Sequence, residues 1–509
     1  MQGLKRPFHS RILPRLNESN RCSDMPRPRP GRVRVSCRIK NIRRGGFSMS
    51  TAAGGKGAMT RLLERAPAPV FVAYSIFAAF TTYFCMYAFR KPFVAAKFDG
   101  EVFWFFGSTI GLKTALVISQ IIGYAISKYV GIKVCSEVTP GRRAITLIFL
   151  IGWAEAALVL FGLLPNNLKV VAIFLNGLPL GMVWGMVVWY LEGRRTSELL
   201  LAGLSCSYIV SSGILKDIGR AMLAGDLAEW WAKIPWIGSA VAAAMTRVSE
   251  SWMPALVGLH FLPVFLLAVW ALNQIPRPTQ ADVAARGERE PMKAADRVAF
   301  LRQFLLGMIL LAVSYGFLTA YRDFRDNYQV ELFDGLGYPY SENRAIISKA
   351  ETLVMFGVMG ALALLNIIKN NRQGLVGAFA VMVAGMVILG LSTLLLDSGV
   401  INGFWWMTLT GLGSYLAYVP YGSVLFERLL ASTRFVGTAV FAIYVSDAIG
   451  YTGSVGVQLY RDLAQGEVSR LGFFKGFTYF MCLLGVTCLV ASGTYFARRQ
   501  KAHDPAVQK

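Results

Sequence analysis

The sequence FRKPFVAAKFDG (Phe89–Gly100) returns 235 residues later as FRDNYQVELFDG (Phe324–Gly335), without a gap and with five of its twelve positions identical. In both copies the segment follows a long apolar run, so Arg90 and Arg325 hold matching places. A segment that recurs in the same setting indicates a duplicated chain. We therefore expect two related halves.

Charged residues outside this segment follow the same repeat. The offset of 235 carries Glu192 onto Glu427, each at the end of an apolar run, and an offset of 236 carries Lys113 onto Lys349. Two similar membrane halves with cations at matching places are typical of secondary transporters, which bind their solute between the halves.

The composition of the chain is typical of a membrane protein. The chain is 55% hydrophobic and only 16% charged, and its mean hydropathy is +0.48. A soluble domain carries roughly a quarter charged residues. Only helices and closed barrels span lipid, because every backbone polar group must be satisfied internally, and the apolar runs are too long for barrel strands. The predicted fold class is an all-α membrane protein with twelve transmembrane helices.

Each of the twelve apolar runs is close to the roughly 20 residues that a spanning helix needs. The runs cover 69–90, 108–130, 144–164, 169–191, 198–221, 252–273, 302–325, 345–368, 374–396, 403–426, 435–458 and 473–496.

Polar segments set the domain boundaries. A long polar stretch flanked by prolines follows the sixth run and indicates a linker. We expect a disordered basic tail over 1–60, an N-terminal six-helix bundle over 61–274, a cytoplasmic linker over 275–300, a C-terminal bundle over 301–497 and a cytoplasmic tail over 498–509.

The first 50 residues hold 13 Lys and Arg against two Asp and Glu, with no apolar periodicity. Such a segment is typical of disorder. We favour an upstream misassignment of the start, with Met49 as the natural first residue. A nucleic-acid-binding arm is the alternative that we favour least. The segment lacks the apolar core of a signal peptide.

Lys and Arg in the loops predict the orientation. They concentrate in alternate loops, in the linker and in the C-terminal tail. All of these segments lie on the cytoplasmic side, where Lys and Arg are enriched, if both termini are cytoplasmic. The sequence therefore predicts an integral multi-pass protein with both termini inside, in a bacterial inner membrane.

Two motifs resemble a known family. MYAFRKPF (Met86–Phe93) is similar to the first-helix pattern Tyr-x-x-Arg-Lys-x-Phe of the organophosphate:phosphate antiporters, the glycerol-3-phosphate and hexose-phosphate transporters of the major facilitator superfamily. YAISKYV (Tyr124–Val130) resembles their second-helix pattern, and LNGLPLGMVW (Leu175–Trp184) is similar to their glycine-rich fourth helix. The resemblance implies two pseudo-symmetric six-helix bundles and solute antiport. Ser314 replaces the family's seventh-helix arginine, which indicates a different substrate.

Five cations are the predicted substrate-binding residues: Arg90, Lys113, Lys128, Arg325 and Lys349. Guanidinium groups bind phosphate or carboxylate through two parallel hydrogen bonds, and several cations around one cavity would concentrate anions. We expect the two arginines to face a central cavity from its two sides.

Each cation also has a structural interpretation. Arg90 could snorkel to the outer interface, Lys128 could lie at the inner interface, and Lys349 could pair with Glu351 or Glu342. The three tyrosines of YLAYVPY (Tyr415–Tyr421) suit either a cavity lining or plain packing.

Four acids complete the candidate set. Glu155 and Asp447 lie deepest in apolar runs and are the predicted proton-coupling residues, because an ionisable group in a spanning helix usually serves function or pairs with a neighbour. Structural pairing is the alternative. Glu192 and Glu427 end their helices beside arginines, and we expect a cytoplasmic gate or helix-end salt bridges there.

The sequence therefore predicts a secondary active transporter of a small anionic solute, phosphorylated or carboxylated, that works by alternating access as a monomer. A proton or phosphate is the expected coupling species, and no cofactor, metal or nucleic acid is expected. The alternative is a transporter-like membrane sensor that binds a solute without moving it. An enzyme is not predicted, because the sequence shows no Walker loop, metal-ligand cluster or nucleophile elbow.

Overall fold

The computed structural model describes residues 57–502, apart from 106, 195, 234–237, 247, 281, 283–293, 427, 430–438 and 465–467. The predicted tail over 1–60 lies almost wholly outside the described residues, and so does Glu427.

Long helices occupy the places of the twelve predicted spans. They are α1 Ala68–Ala88, α2 Leu112–Glu137, α3 Arg143–Leu163, α4 Asn166–Leu191, α5 Ser197–Leu223, α6 Met253–Asn273, α7 Ala294–Asn327, α8 Ile346–Ile367, α9 Asn371–Asp397, α10 Gly403–Pro420, α11 Ala439–Ala464 and α12 Arg470–Ala502. α7 begins inside the predicted linker, and its backbone departs from helical geometry at Phe304.

Shorter elements join the long helices. Short helices cover Ala58–Arg65, Asp226–Ala232, Gly238–Met245 and Gln329–Gly335, with 3₁₀ turns at Pro92–Ala95 and Pro140–Arg142 and a π turn at Tyr421–Leu425. Strands β1 Val102–Phe105 and β2 Ser108–Gly111 pair antiparallel as a hairpin before α2.

Within the described residues, nine helices are long and apolar enough to cross a membrane: α1, α3 to α9 and α12. The helices α2, α10 and α11 fill the remaining three places of the same bundle. α2 carries lysines along its length, among them Lys113 and Lys128. The protein is an integral multi-pass membrane protein, and the predicted all-α fold class is confirmed.

The two halves pack their helices in the same way. In the first half α4 lies against α2 and α3, α1 against α5 and α6, and α3 against α6; in the second half α10 lies against α8 and α9, α7 against α11 and α12, and α9 against α12. Each half has its own hydrophobic core. The predicted arrangement of two pseudo-symmetric six-helix bundles is therefore confirmed. The halves meet where α5 packs on α8 and α2 on α11.

Glycines bring helix backbones together in both halves. A Cβ atom at Gly177 of α4 would lie 2.5 Å from the carbonyl oxygen of Gln120 in α2. A Cβ atom at Gly385 of α9 would lie 2.5 Å from the carbonyl oxygen of Gly413 in α10. Because membrane helices gain no hydrophobic drive to associate, small residues that permit close packing hold them together.

One face of the bundle collects the ends of α1 and α7 and the starts of α2 and α8, with the loops 89–111 and 328–345 between them. The predicted orientation places this face on the side of the membrane opposite the cytoplasm, and we call it the outer face. The short helices of the loop after α5 pack on each other and on α6, where Trp231 donates from Nε1 to His260 Nε2 at 2.9 Å.

Candidate functional site

Arg90 lies between the two halves, directly after α1. Its guanidinium stacks over Tyr124 of α2, 4.0 Å from the ring centroid, and lies 5.6 Å from the Tyr87 ring. Its backbone carbonyl accepts a hydrogen bond from Gln120, which fixes the chain at this point. Among the described residues no carboxylate pairs with this guanidinium, and its Nε atom has no hydrogen-bond partner. Within the described part of the chain, the Arg90 guanidinium therefore stacks on tyrosine rings without an acid beside it.

A second arginine from the opposite half has a similar setting. Arg322 of α7 stacks over Tyr418 of α10, with 4.2 Å between the guanidinium carbon and the ring centroid, and also donates to the neighbouring Asp323 at 2.8 Å. Tyr87 lies within electrostatic range of both Arg90 and Arg322. The two guanidinium groups thus approach one region from the two halves. We call Arg90, Tyr87, Tyr124, Arg322 and Tyr418 the central site.

Lys128 and Asp447 meet one helical turn from the central site. Lys128 follows Tyr124 by four residues on α2, and its Nζ atom lies 3.8 Å from Asp447 Oδ2 of α11. The Tyr315 hydroxyl of α7 donates to Asp447 Oδ1 at 2.6 Å. The lysine side chain is 17% exposed and the aspartate 15%, although both lie between the halves. The structure therefore brings two predicted residues together in an ion pair across the interface.

Tyrosines connect the halves around these charges. Tyr124 of α2 contacts Tyr451 of α11 with 5.5 Å between ring centroids, and Tyr315 stacks on Tyr418 at 5.3 Å. Tyr208 of α5 reaches Tyr415 of α10 at 6.3 Å. Two tyrosines of the YLAYVPY segment thus line the interface between the halves. The third, Tyr421, packs inside the second half and donates to the Leu311 carbonyl.

Arg325 does not reach the central site. It is buried inside the second half, where it pairs with Glu351 of α8 at 2.8 Å and donates to the Met407 carbonyl of α10 at 2.7 Å. The repeat explains the difference, because the offset of 236 places Ala115 where the second half has Glu351. Arg90 therefore lacks the acid that neutralises Arg325, and the expected matched pair of clamping arginines is not formed.

Lys113 and Lys349 lie at the outer face, and among the described residues no ion pair or hydrogen bond joins them to Arg90 or Arg325. Lys113 is buried at the outer face, where it donates to the Val94 carbonyl at 2.8 Å and pairs with Glu331 of the other half at 2.5 Å. Lys349 is exposed at the start of α8. The repeat aligned the two lysines, but only one of them has an acidic segment opposite it.

The other predicted acids lie apart from the central site. Glu155 is buried inside the first half beside Gly258 and the Phe89 ring, and among the described residues neither of its carboxylate oxygens has a hydrogen-bond partner. Glu192 is half-buried directly after α4. Glu427, its partner in the predicted gate, lies outside the described residues.

Sequence reasoning missed Arg322. The stretch RDFRD (Arg322–Asp326) ends the predicted seventh span over 302–325, and the structure continues α7 through it to Asn327. The predicted span therefore already placed Arg322 two turns after Tyr315 on the same helix. The repeat did not mark Arg322 as a site residue, because the offset of 235 aligns it with Tyr87 and not with a cation.

Comparisons with known proteins identify a family. A model of a family of unknown function (DUF5690) matches residues 92–245 and 236–499. No curated protein matches the chain. Similar solved structures include a bacterial homologue of the human drug peptide transporters PepT1 and PepT2, with a TM-score of 0.47, 15% identity, and coverage of 84% of this chain and 99% of that chain.

Two further solved structures have comparable scores. One comes from work on substrate recognition in proton-dependent oligopeptide transporters, with a TM-score of 0.47, 14% identity, and coverage of 85% of this chain and 99% of that chain. The other is tetrameric PepTSo2, with a TM-score of 0.46, 16% identity, and coverage of 83% and 96%. Since the family model matches most of the chain, the protein belongs to the DUF5690 family.

Proposed function

We propose that this protein is a secondary active transporter that moves a small anionic solute by alternating access, with the central site as the place where the solute binds. Two similar helical bundles with polar residues at their interface suit this task, because rocking of one bundle against the other exposes a fixed site to each side in turn.

The unpaired guanidinium of Arg90 carries the proposal. Arg322 is paired with Asp323, and Lys128 with Asp447, so each of these pairs is close to neutral. Arg90 leaves the described part of the interface with an excess positive charge. A cation stacked on tyrosine rings still has its hydrogen-bond donors available, and a carboxylate or phosphate accepts two of them in parallel. A cationic solute would require an excess of acids instead.

The Lys128–Asp447 pair supports coupling to protons. It joins α2 to α11 across the interface, so its rupture would accompany separation of the halves on that side. Protonation of Asp447 removes the charge that holds Lys128. The pair is thus suited to link proton binding to a conformational change. Glu155 remains the second predicted proton carrier, but its carboxylate lies inside one half.

The resemblance to organophosphate:phosphate antiporters stays a prediction. It agrees with Arg90 and Lys128, which both belong to the matching motifs. Phosphate would then serve as the counter-solute.

Binding measurements on purified protein test the proposal. Phosphate, organophosphates and dicarboxylates are titrated against wild type, Arg90→Lys and Arg90→Met by calorimetry. Arg90→Lys keeps the charge but loses the parallel pair of donors, so the bound anion should lose roughly 1–3 kcal/mol, about one to two powers of ten in Kd. Lys349→Gln removes an exposed cation and serves as the control. Wild-type affinity in both Arg90 variants would refute the central site.

A further inference from the structure

We infer that the outer face holds a second anion site. The site is a ring of cations on the first half that captures the solute. In this structure, an acidic segment of the second half occupies the ring. The inference rests on the proposed function, because it assigns capture of the same solute to the outer face. The cationic ring consists of Lys91, Lys97, Lys113, Lys216 and Arg220. The acidic segment runs over 326–334 and carries Asp326, Glu331 and Asp334.

The deep end of the ring shares one carboxylate between two buried lysines. Asp326 accepts Lys91 at 2.5 Å on one oxygen and Lys216 at 2.8 Å on the other. Neutral oxygens complete both sites, since Lys91 donates to Asn327 at 2.8 Å and Lys216 to Gln329 at 2.6 Å. Two ammonium groups with a single counter-ion leave a net positive charge where water is largely excluded.

The outer end of the ring is held by separate ion pairs. Lys113 pairs with Glu331 at 2.5 Å, and Lys97 pairs with Asp334 at 2.7 Å. Arg220 lies 3.9 Å from Asp334. Every one of these pairs joins the first half to the second. The acidic segment therefore closes the outer face by electrostatic contact with the ring.

The charges of the two partners are unequal. Five cations face three carboxylates of the acidic segment. Two acids of the first half lie beside the ring: Asp217, 3.8 Å from Arg220, accepts two hydrogen bonds from Ser348, and Glu250 accepts from the backbone N–H groups of Lys97 and Phe98 at 3.2 Å. When the segment withdraws, Lys91, Lys113 and Lys216 lose the carboxylates that pair with them among the described residues, which is strongly unfavourable. An anion from solution can replace them, because carboxylates and phosphates accept from the same donors.

The acidic segment thus occupies the place of the solute. A solute anion that binds the ring stabilises the open arrangement, because it binds that arrangement better than the closed one. The ring also leads to the central site, since Lys91 at its deep end is the residue that follows Arg90. Capture at the outer face and delivery to Arg90 are therefore adjacent steps in the segment that follows α1.

A cysteine beneath the acidic segment reports opening. Thr114 is buried in α2, with its Oγ1 2.7 Å from the Tyr328 hydroxyl. Thr114→Cys is introduced into purified full-length protein from which the native cysteines have been replaced, and its labelling rate is measured with an uncharged maleimide. Glu331→Gln together with Asp334→Asn should accelerate labelling about tenfold or more. Asp397→Asn removes an acid that binds Lys475 within the second half, and should leave the rate unchanged.

Anions are then added to the opened variant at constant ionic strength. Inorganic phosphate and malonate distinguish a phosphorylated from a carboxylated solute, with chloride as the reference. Either divalent anion should slow labelling severalfold by occupying the ring. Lys97→Gln should weaken this protection, and because Lys97 is largely exposed, the variant should fold. Unchanged labelling in the opened variant, or labelling that neither divalent anion slows, would overturn the inference.

Arg90→Lys separates this inference from the proposed function. Protection by phosphate or malonate should persist in the opened variant that carries Arg90→Lys, because the ring is intact. If protection disappears there, the anion binds only at the central site. That outcome overturns the outer ring and leaves the proposed function standing.

Discussion

At the scale of single residues, the repeat aligns two arginines that have different surroundings. Arg90 stacks on tyrosine rings between the halves and lacks a carboxylate partner among the described residues. Arg325 is buried in the second half and pairs with Glu351. The difference follows from one position, where the first half has Ala115 instead of an acid. Of these two matching arginines, only Arg325 pairs with a carboxylate among the described residues.

Replacement of each arginine by methionine should separate these roles. Arg325→Met leaves Glu351 buried without its cation, and loss of one partner of a buried pair costs about 3–5 kcal/mol. Arg90→Met removes only stacking on tyrosine, worth about 0.5–2 kcal/mol. Thermal unfolding in detergent should therefore show a much larger fall in midpoint for Arg325→Met. Equal losses would contradict the assignment of Arg325 to the scaffold.

Sequence could predict some site residues and not others. Lys128 and Asp447 stood out because a charged residue within an apolar run usually serves function or pairs with a neighbour. Their contact could not be predicted, since it joins helices that are far apart in sequence. Arg322 was missed because the repeat aligns it with Tyr87 and not with a cation. Lys349 was selected through alignment with Lys113, but a repeat gives equivalent positions and does not give equivalent partners.

At the scale of elements, close helix crossings set the geometry of each half. Gly385 and Gly413 bring α9 and α10 together, and α10 carries the tyrosines that hold Arg322. The length and hydropathy of the helices were readable from sequence, so their number and order were predicted. The pairs of helices that pack at each glycine were not predicted, because many glycines in the chain have the same local sequence setting.

Two glycine variants test this packing. Gly385→Ala would place a methyl group 2.5 Å from the Gly413 carbonyl, and overpacking of this kind costs about 1–3 kcal/mol. Gly360→Ala in α8 is the matched control, because no atom lies within 4 Å of the added Cβ. Its better helix propensity should leave stability unchanged or raise it by up to about 1 kcal/mol. The comparison is made by thermal unfolding in the same detergent. Similar behaviour of the two variants would show that the α9–α10 crossing can relax.

At the scale of the whole molecule, the two halves are alike in packing and different in charge. The first half presents cations at the outer face, and the second half presents acids that cover them. Lys91 and Asp326 hold equivalent places in the repeat and bind each other across the interface. The repeat in the sequence predicted the two bundles correctly. It did not reveal that Lys91 and Asp326, which differ in charge at equivalent positions, form an ion pair with each other.

The proposed proton coupling belongs to this scale, because it requires the two halves to move together. In vesicles with an imposed pH gradient, Asp447→Asn should exchange solute across the membrane but fail to accumulate it. Glu155→Gln tests the second predicted carrier in the same assay. Accumulation that survives in both variants would indicate phosphate or another counter-solute as the driving species.

Flux of an anion across a sealed membrane is the most direct test of the proposed function. Purified protein is reconstituted into vesicles loaded with an unlabelled anion that it binds, and entry of the labelled anion is followed over time. We predict saturable entry that depends on the internal anion, that persists in Lys349→Gln, and that Arg90→Met abolishes. Tight binding of the anion without any entry above that of empty vesicles would contradict transport and identify the protein as a membrane sensor.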